Sequence, residues 1–181
     1  MSAAAARAST SSSYFELFGL PRVFALDLPA LERTYREVQA RVHPDRFAHA
    51  GDAERRASLQ WTTRINEAFR ALRNPVSRAA HLLALHGVDV AFETNTAMPQ
   101  QFLMQQMELR EALETAVRGK DPKALAKLQN DLQADKEGLE KLLAERIDRD
   151  QDYPAAAGLV RELQFLEKLE AEIDGAYEMI Q

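Results

Sequence analysis

His43, Pro44 and Asp45 stand in consecutive positions, flanked by Arg41 and Arg46. An imidazole and a carboxylate this close can exchange a proton, accept a charge-assisted hydrogen bond, or present a compact polar contact to another macromolecule. Acid–base catalysis needs more than the pair, because side chains so close in a loop usually point apart. No third catalytic group, glycine-rich phosphate loop or metal-ligand cluster accompanies them in the sequence. The chain contains no cysteine, which excludes disulfides, thiolate metal sites and cysteine nucleophiles. The stretch reads as a recognition tip, and no catalytic residue, metal or cofactor is assigned.

Two amphipathic helices position this tip. Pro44 cannot continue a helix and disfavours the α region for the residue before it. The upstream helix is therefore predicted to stop at Val42 or His43, leaving Asp45 and Arg46 in the loop. Asp27 is suited to cap that helix, with Pro29 tolerated in its first turn. Leu31, Tyr35, Val38 and Val42 share one face at about 100° per residue, whereas Arg33, Arg36 and Ala40 lie opposite and Arg41 on a flank. Beyond the tip, Phe47–Asp52 reads as a loop and a long helix runs from about Ala53 to Leu72. Trp61, Ile65, Ala68, Phe69 and Leu72 form its buried stripe, Trp61 as a core residue. Asn74-Pro75 interrupts the chain, and Val76–Leu85 forms a further helix ending near Gly87. Tyr14–Leu20 is a short apolar helical segment stopped by Gly19 and Pro21.

The 181 residues, 46% hydrophobic and 28% charged with seven glycines and seven prolines, favour an all-α fold in one large domain or two small ones. The net charge of −5 is unevenly spread. Residues 1–92 hold 12 arginines, no lysine and 9 acidic residues, whereas residues 93–181 hold 11 basic and 19 acidic residues. Such a split points to two surfaces with two partners. The clustered arginines raise nucleic-acid binding as an alternative, but the overall acidic balance and the interspersed glutamates argue against it. No apolar run approaches the roughly 18 residues a bilayer requires. Met1–Ser13, rich in Ala, Ser and Thr, reads as a disordered tail, too short and lacking the apolar run of a signal peptide. A cytoplasmic location is expected.

Val88–Met98 lacks periodicity and reads as a linker over 88–98, dividing a domain at 14–87 from one at 99–181. Helices are predicted over about Pro99–Arg118, Pro122–Ile147 and Ala155–Ile180. Their short connections favour an antiparallel three-helix bundle. Phe102, Leu109 and Leu113 of the first helix face the bundle. Leu103, Met104 and Met107 lie on another side, beside Glu108, Glu111 and Glu114. An apolar strip bordered by carboxylates, with adaptable methionines in it, has the composition of a contact site. In the last helix Leu159, Leu163, Leu166, Ile173 and Tyr177 form the stripe, with Phe165 off its centre.

Taken together, the opening Tyr14-Phe-Glu-Leu-Phe-Gly-Leu20, the arginine-bearing helix around Tyr35, His43-Pro-Asp-Arg-Phe47, Ile65-Asn-Glu-Ala-Phe69 with Leu72, and Asn74-Pro-Val-Ser-Arg78 resemble a J-domain over residues 14 to about 85. Phe102-Leu-Met104, Met107-Glu-Leu-Arg-Glu111 and Leu163-Gln-Phe-Leu-Glu-Lys-Leu169 narrow the resemblance to the HscB family, J-type co-chaperones of iron–sulfur cluster assembly.

The resemblance implies a non-enzymatic adaptor. A DnaK-class heat-shock ATPase (HscA-like) would meet His43, Pro44 and Asp45, helped by Arg36, Arg41, Arg46 and Arg78. The C-terminal bundle would bind the cluster scaffold protein (IscU-like) through Leu103, Met104, Met107, Glu108, Glu111 and Phe165. Neither nucleic acid nor membrane is an implied partner. Three departures stand out. Glu32 and Glu37 occupy positions that tend to be basic in J-domains of general chaperones, which restricts the partner. Thr115 replaces an often acidic residue. The N-terminal cysteine-rich zinc module of some relatives is missing. A general J-protein for unfolded clients is disfavoured, since there is no Gly/Phe-rich linker and no cysteine repeat.

Overall fold

Ser13 closes the first helical turn with a reciprocal cap. Its hydroxyl accepts from the Glu16 N–H at 3.4 Å while the Glu16 carboxylate accepts from the Ser13 N–H at 3.1 Å. The computed structural model describes residues 13–47, 49–91 and 98–180. Residues 1–12 of the expected tail, and 92–97 of the expected linker, lie outside the described residues. Ser13 itself is a correction to the tail boundary, because it is buried and caps α1 (Tyr14–Leu17).

Among the described residues the protein is all α, in two compact units, Met1–Leu85 and His86–Gln181. In the first unit α2 (Leu28–Val42) is capped by the Asp27 carboxylate, which accepts from the Ala30 N–H at 2.9 Å, and it ends where Pro44 requires. A 3₁₀ turn, Pro44–Phe47, leads to α3 (Asp52–Arg73), followed by α4 (Pro75–Leu85). α2 and α3 form the antiparallel hairpin. Its interior holds Tyr35 stacked on Phe69 at 4.0 Å, with the Tyr35 hydroxyl donating to Asn66 Oδ1 at 2.9 Å. Phe15, Phe18, Phe24, Leu31, Ile65, Leu72 and Leu82 complete the core. Trp61 is half-buried and sits at its margin.

The second unit comprises α5 (Gln100–Arg118), α6 (Pro122–Ala144), a π turn (Glu145–Arg149) and α7 (Tyr153–Ile180). The helix expected to continue to Ile147 widens after Ala144, and the Asp150 N–H reaches the Glu145 carbonyl at 2.9 Å. Leu113, Leu125, Leu128, Leu132, Leu166, Leu169 and Ile173 form one core cluster. Lys136 on α6, with only 12% of its side chain exposed, donates to Glu170 on α7 at 2.6 Å. Val90, within the stretch read as linker, is buried, and its carbonyl accepts from Arg161 at 3.0 Å.

His81 of α4 fastens α1 to the first unit. Its Nε2 accepts the Tyr14 N–H at 3.1 Å, and the ring stacks on Tyr14 at 4.3 Å. That bond needs a lone pair on Nε2, hence a neutral ring. Burial, then the positive charges of Arg22 and Arg64, hold the His81 pKa below its usual 6.5. A depressed histidine pKa means that the unfolded chain binds the proton more readily. The stability this contact contributes is therefore complete above pH 6.5 and is lost as pH falls through the folded value. Urea midpoints measured between pH 7.5 and pH 5 should fall more for the wild-type chain than for His81→Gln, which keeps an acceptor but does not titrate.

Candidate functional site

The tip is built on the end of α2. His43, with φ −56° and ψ 131°, has left the helix, as the residue before a proline must. The last carbonyls of α2 have no partner within the helix and take theirs from elsewhere. Ser58 of α3 donates to the Val42 carbonyl at 2.6 Å; the Thr62 hydroxyl lies 3.4 Å from the same oxygen but donates at 2.9 Å to the Ser58 carbonyl. Arg46 turns back to donate to the Ala40 carbonyl at 3.2 Å. The Arg46 N–H closes the turn on the His43 carbonyl at 3.0 Å.

Within that frame the His43 and Asp45 side chains point to solvent, 49% and 90% exposed. His43 Nδ1 lies 3.5 Å from the Asp45 carboxylate and accepts the Asp45 N–H at 3.4 Å. Contacts of that length are weak, so the carboxylate keeps its capacity to accept from another molecule. Arg36 and Arg41 are largely exposed and lie 3.8 and 4.0 Å from Glu32 and Glu37, one helical turn earlier. The two glutamates are thus local counter-ions, an arrangement worth only a few tenths of a kcal/mol to the helix, about 0.3–0.5.

Arg78 does not belong to this surface. It is 6% exposed, donates to the Leu72 carbonyl at 2.7 Å, and its guanidinium lies 4.8 Å from the centre of the Phe24 ring. Its charge is spent on closing the α3–α4 corner, so it is a core residue of the first unit and not a docking residue.

In the second unit α5 presents Leu103, Met104 and Met107 to solvent, 43%, 56% and 64% exposed, with Glu108 and Glu111 exposed beside them. Phe165 of α7 is half-buried. The Phe102 ring meets it edge-on at 5.9 Å, and the Arg110 guanidinium lies 5.0 Å above its face. Arg110 also pairs with Glu172 at 3.3 Å, which fixes it over the ring. Sequence reasoning gave Arg110 no role, although its spacing of seven from Leu103 places it beside the strip. Gln105 donates to Asp135 on α6 at 3.0 Å, and burial followed by the nearby Asp131 raises the Asp135 pKa. The tethers Ser58 and Thr62 were also missed; the only sequence signal was two hydroxyls, four residues apart, near the start of α3.

A helical hairpin with an exposed His-Pro-Asp apex, in a chain that also carries a helical bundle, defines the architecture of a J-type co-chaperone. Residues 98–174 match the family model described as the HSCB C-terminal oligomerisation domain. The chain is 51% identical over 168 residues to the co-chaperone protein HscB homolog of Azoarcus sp. (strain BH72), covering 93% of this chain and 95% of that one. It is 50% identical over 166 residues to the HscB homolog of Paraburkholderia phymatum, covering 92% and 94%. Among solved structures, chaperone HscB from Vibrio cholerae is similar with a TM-score of 0.83 at 35% identity, covering 94% of this chain and all of that one. Human co-chaperone protein HscB has a TM-score of 0.86 at 27% identity, covering 92% and 82%. The chain belongs to the HscB family of co-chaperones, and its role is that of a co-chaperone in iron–sulfur cluster assembly.

The anchoring of the tip has a measurable energy. Ser58 is buried, and Ser58→Ala removes the shorter bond to the Val42 carbonyl. Chemical denaturation should show a loss of about 1–2 kcal/mol, the usual cost of an underserved buried polar group.

Proposed function

We propose that the exposed His43-Pro44-Asp45 apex docks on a DnaK-class chaperone of the HscA type and stimulates its ATP hydrolysis, while the α5 strip delivers an IscU-type scaffold protein for cluster maturation and transfer. The observation that carries the reading is the Asp45 side chain, 90% exposed on a turn anchored to both hairpin helices. A carboxylate so placed can accept charge-assisted hydrogen bonds worth about 1.5–3 kcal/mol. Arg36, Arg41 and Arg46 orient the encounter, and their contribution weakens as salt rises. The contacts favour the chaperone state that hydrolyses ATP, a population shift set by differential affinity. The chemistry stays in the partner, and the work is placed in the cytoplasm, where the partner's ATP is available.

On α5 the exposed Leu103, Met104 and Met107 supply affinity, and Glu108 and Glu111 supply orientation and charge. Phe165, half-buried beneath Arg110, contributes the surface it leaves exposed. The Val88–Met98 segment is proposed as the linker between the two activities.

Asp45→Asn keeps the shape of the turn and removes the charge. It should abolish stimulation of a purified HscA-type ATPase with the far-UV circular dichroism spectrum unchanged; undiminished stimulation would refute the assignment. Alanine at Leu103, Met104 and Phe165 together should weaken scaffold binding by calorimetry at least about tenfold while stimulation of the chaperone alone persists. Normal scaffold affinity in that triple variant would remove the site from α5.

A further inference from the structure

Leu59 is 55% exposed, the most exposed large apolar side chain among the described residues of the first unit, where Leu28 and Leu85 reach 37%. Its place on α3 is fixed by its neighbours. Ser58, Thr62 and Asn66 reach across to α2, and Ile65, Ala68 and Leu72 face the core. At about 100° per residue, Leu59 falls past the α2-facing row, on the side away from the core. On α2 the same helical step is fixed by Leu31 in the core and Tyr35 against Phe69. It puts Arg36 and the exposed Ala40 on that same outer side of the hairpin. Because the Val42 carbonyl is held by Ser58, Leu59 stands at the apex end of the hairpin.

The surroundings of Leu59 are basic. Arg55 and Arg56 precede it by one helical turn, Arg56 donating to the Asp52 carbonyl and Arg55 pairing with the Asp52 carboxylate. Arg46 bends back onto the Ala40 carbonyl from the turn. A solitary leucine within arginines, continuous with the apex, is the pattern of an apolar anchor inside a charged rim.

We infer that Leu59, with Ala40 on the same face, is a binding residue for the HscA-type chaperone, and that the chaperone presents an apolar contact rimmed by acidic groups opposite the outer face of the α2–α3 hairpin. This rests on the function proposed above and adds a contact from α3 to it. An apolar anchor acts on affinity with little dependence on ionic strength, in contrast to the arginines around it.

The test is the ATPase of a purified HscA-type chaperone titrated with the full chain at low and high salt. Wild type, Leu59→Ala, Asp45→Asn and Leu142→Ala are compared. Leu142, an exposed leucine of α6 at 44%, controls for trimming any surface leucine. Leu59→Ala should raise the half-maximal concentration about tenfold at both salts, with the saturating rate of wild type, and Leu142→Ala should match wild type. An unchanged half-maximal concentration for Leu59→Ala, beside an inactive Asp45→Asn, overturns the contact and leaves the apex reading standing. So does a lowered saturating rate at unchanged half-maximal concentration, or an equal effect from Leu142→Ala. Absence of stimulation by the wild-type chain, or normal stimulation by Asp45→Asn, overturns the apex reading and the contact with it.

Discussion

One carbonyl oxygen, that of Val42, sets the geometry on which the first unit's activity depends. Pro44 forces α2 to end and leaves its last acceptors without helical partners. If those acceptors were left to water, the apex would be free to swing about the end of a single helix. The Ser58 hydroxyl of α3 takes the Val42 oxygen, with Thr62 beside it, and the Arg46 guanidinium takes that of Ala40. The apex is thereby tied to the opposite helix of the hairpin and to the end of its own. The His43 and Asp45 side chains remain outward and take no part in this anchoring, whereas the exposed Arg46 serves both.

The second unit solves the opposite problem, keeping apolar side chains exposed without collapsing them into the bundle. Leu113 and Ala116 are the α5 side chains turned into the core cluster, and Leu103, Met104 and Met107 lie off that face of the helix, exposed. Phe165 lies between these regimes. Its ring meets Phe102 in a T-shaped contact and its face is covered by Arg110, which Glu172 holds in place. A cation over an aromatic face contributes on the order of 0.5–1 kcal/mol at a partly exposed site, enough to order the ring and weak enough to yield to a better partner.

What could be read from the sequence was whatever local chemistry decides. The end of α2 at Val42 follows from Pro44 alone, and the cap at Asp27 follows from a side chain three residues from its target. The exposed strip of α5 was legible because three large apolar residues lay off the face that Phe102, Leu109 and Leu113 define. Arg78 was misread for the complementary reason. An arginine beside apolar neighbours on a short helix gives no local sign that the Leu72 carbonyl and the Phe24 ring will enclose it. Ser58 was hard to see in the same way, since its acceptor lies 16 residues away. The π turn after Ala144 was hidden too, because its sequence continues an acceptable helix.

The cations of the hairpin are arginine without exception, and the first lysine of the chain is Lys120. Guanidinium groups do not deprotonate at any pH a protein survives, and they are not substrates for acylation. Acetyl transfer, carbamylation and amine-directed cross-linkers can therefore modify the bundle, and the α-amine where it is free, but never the charges flanking the apex. Charge on that face is a constant of the covalent structure, beyond the reach of the reversible lysine modifications by which many basic surfaces are tuned.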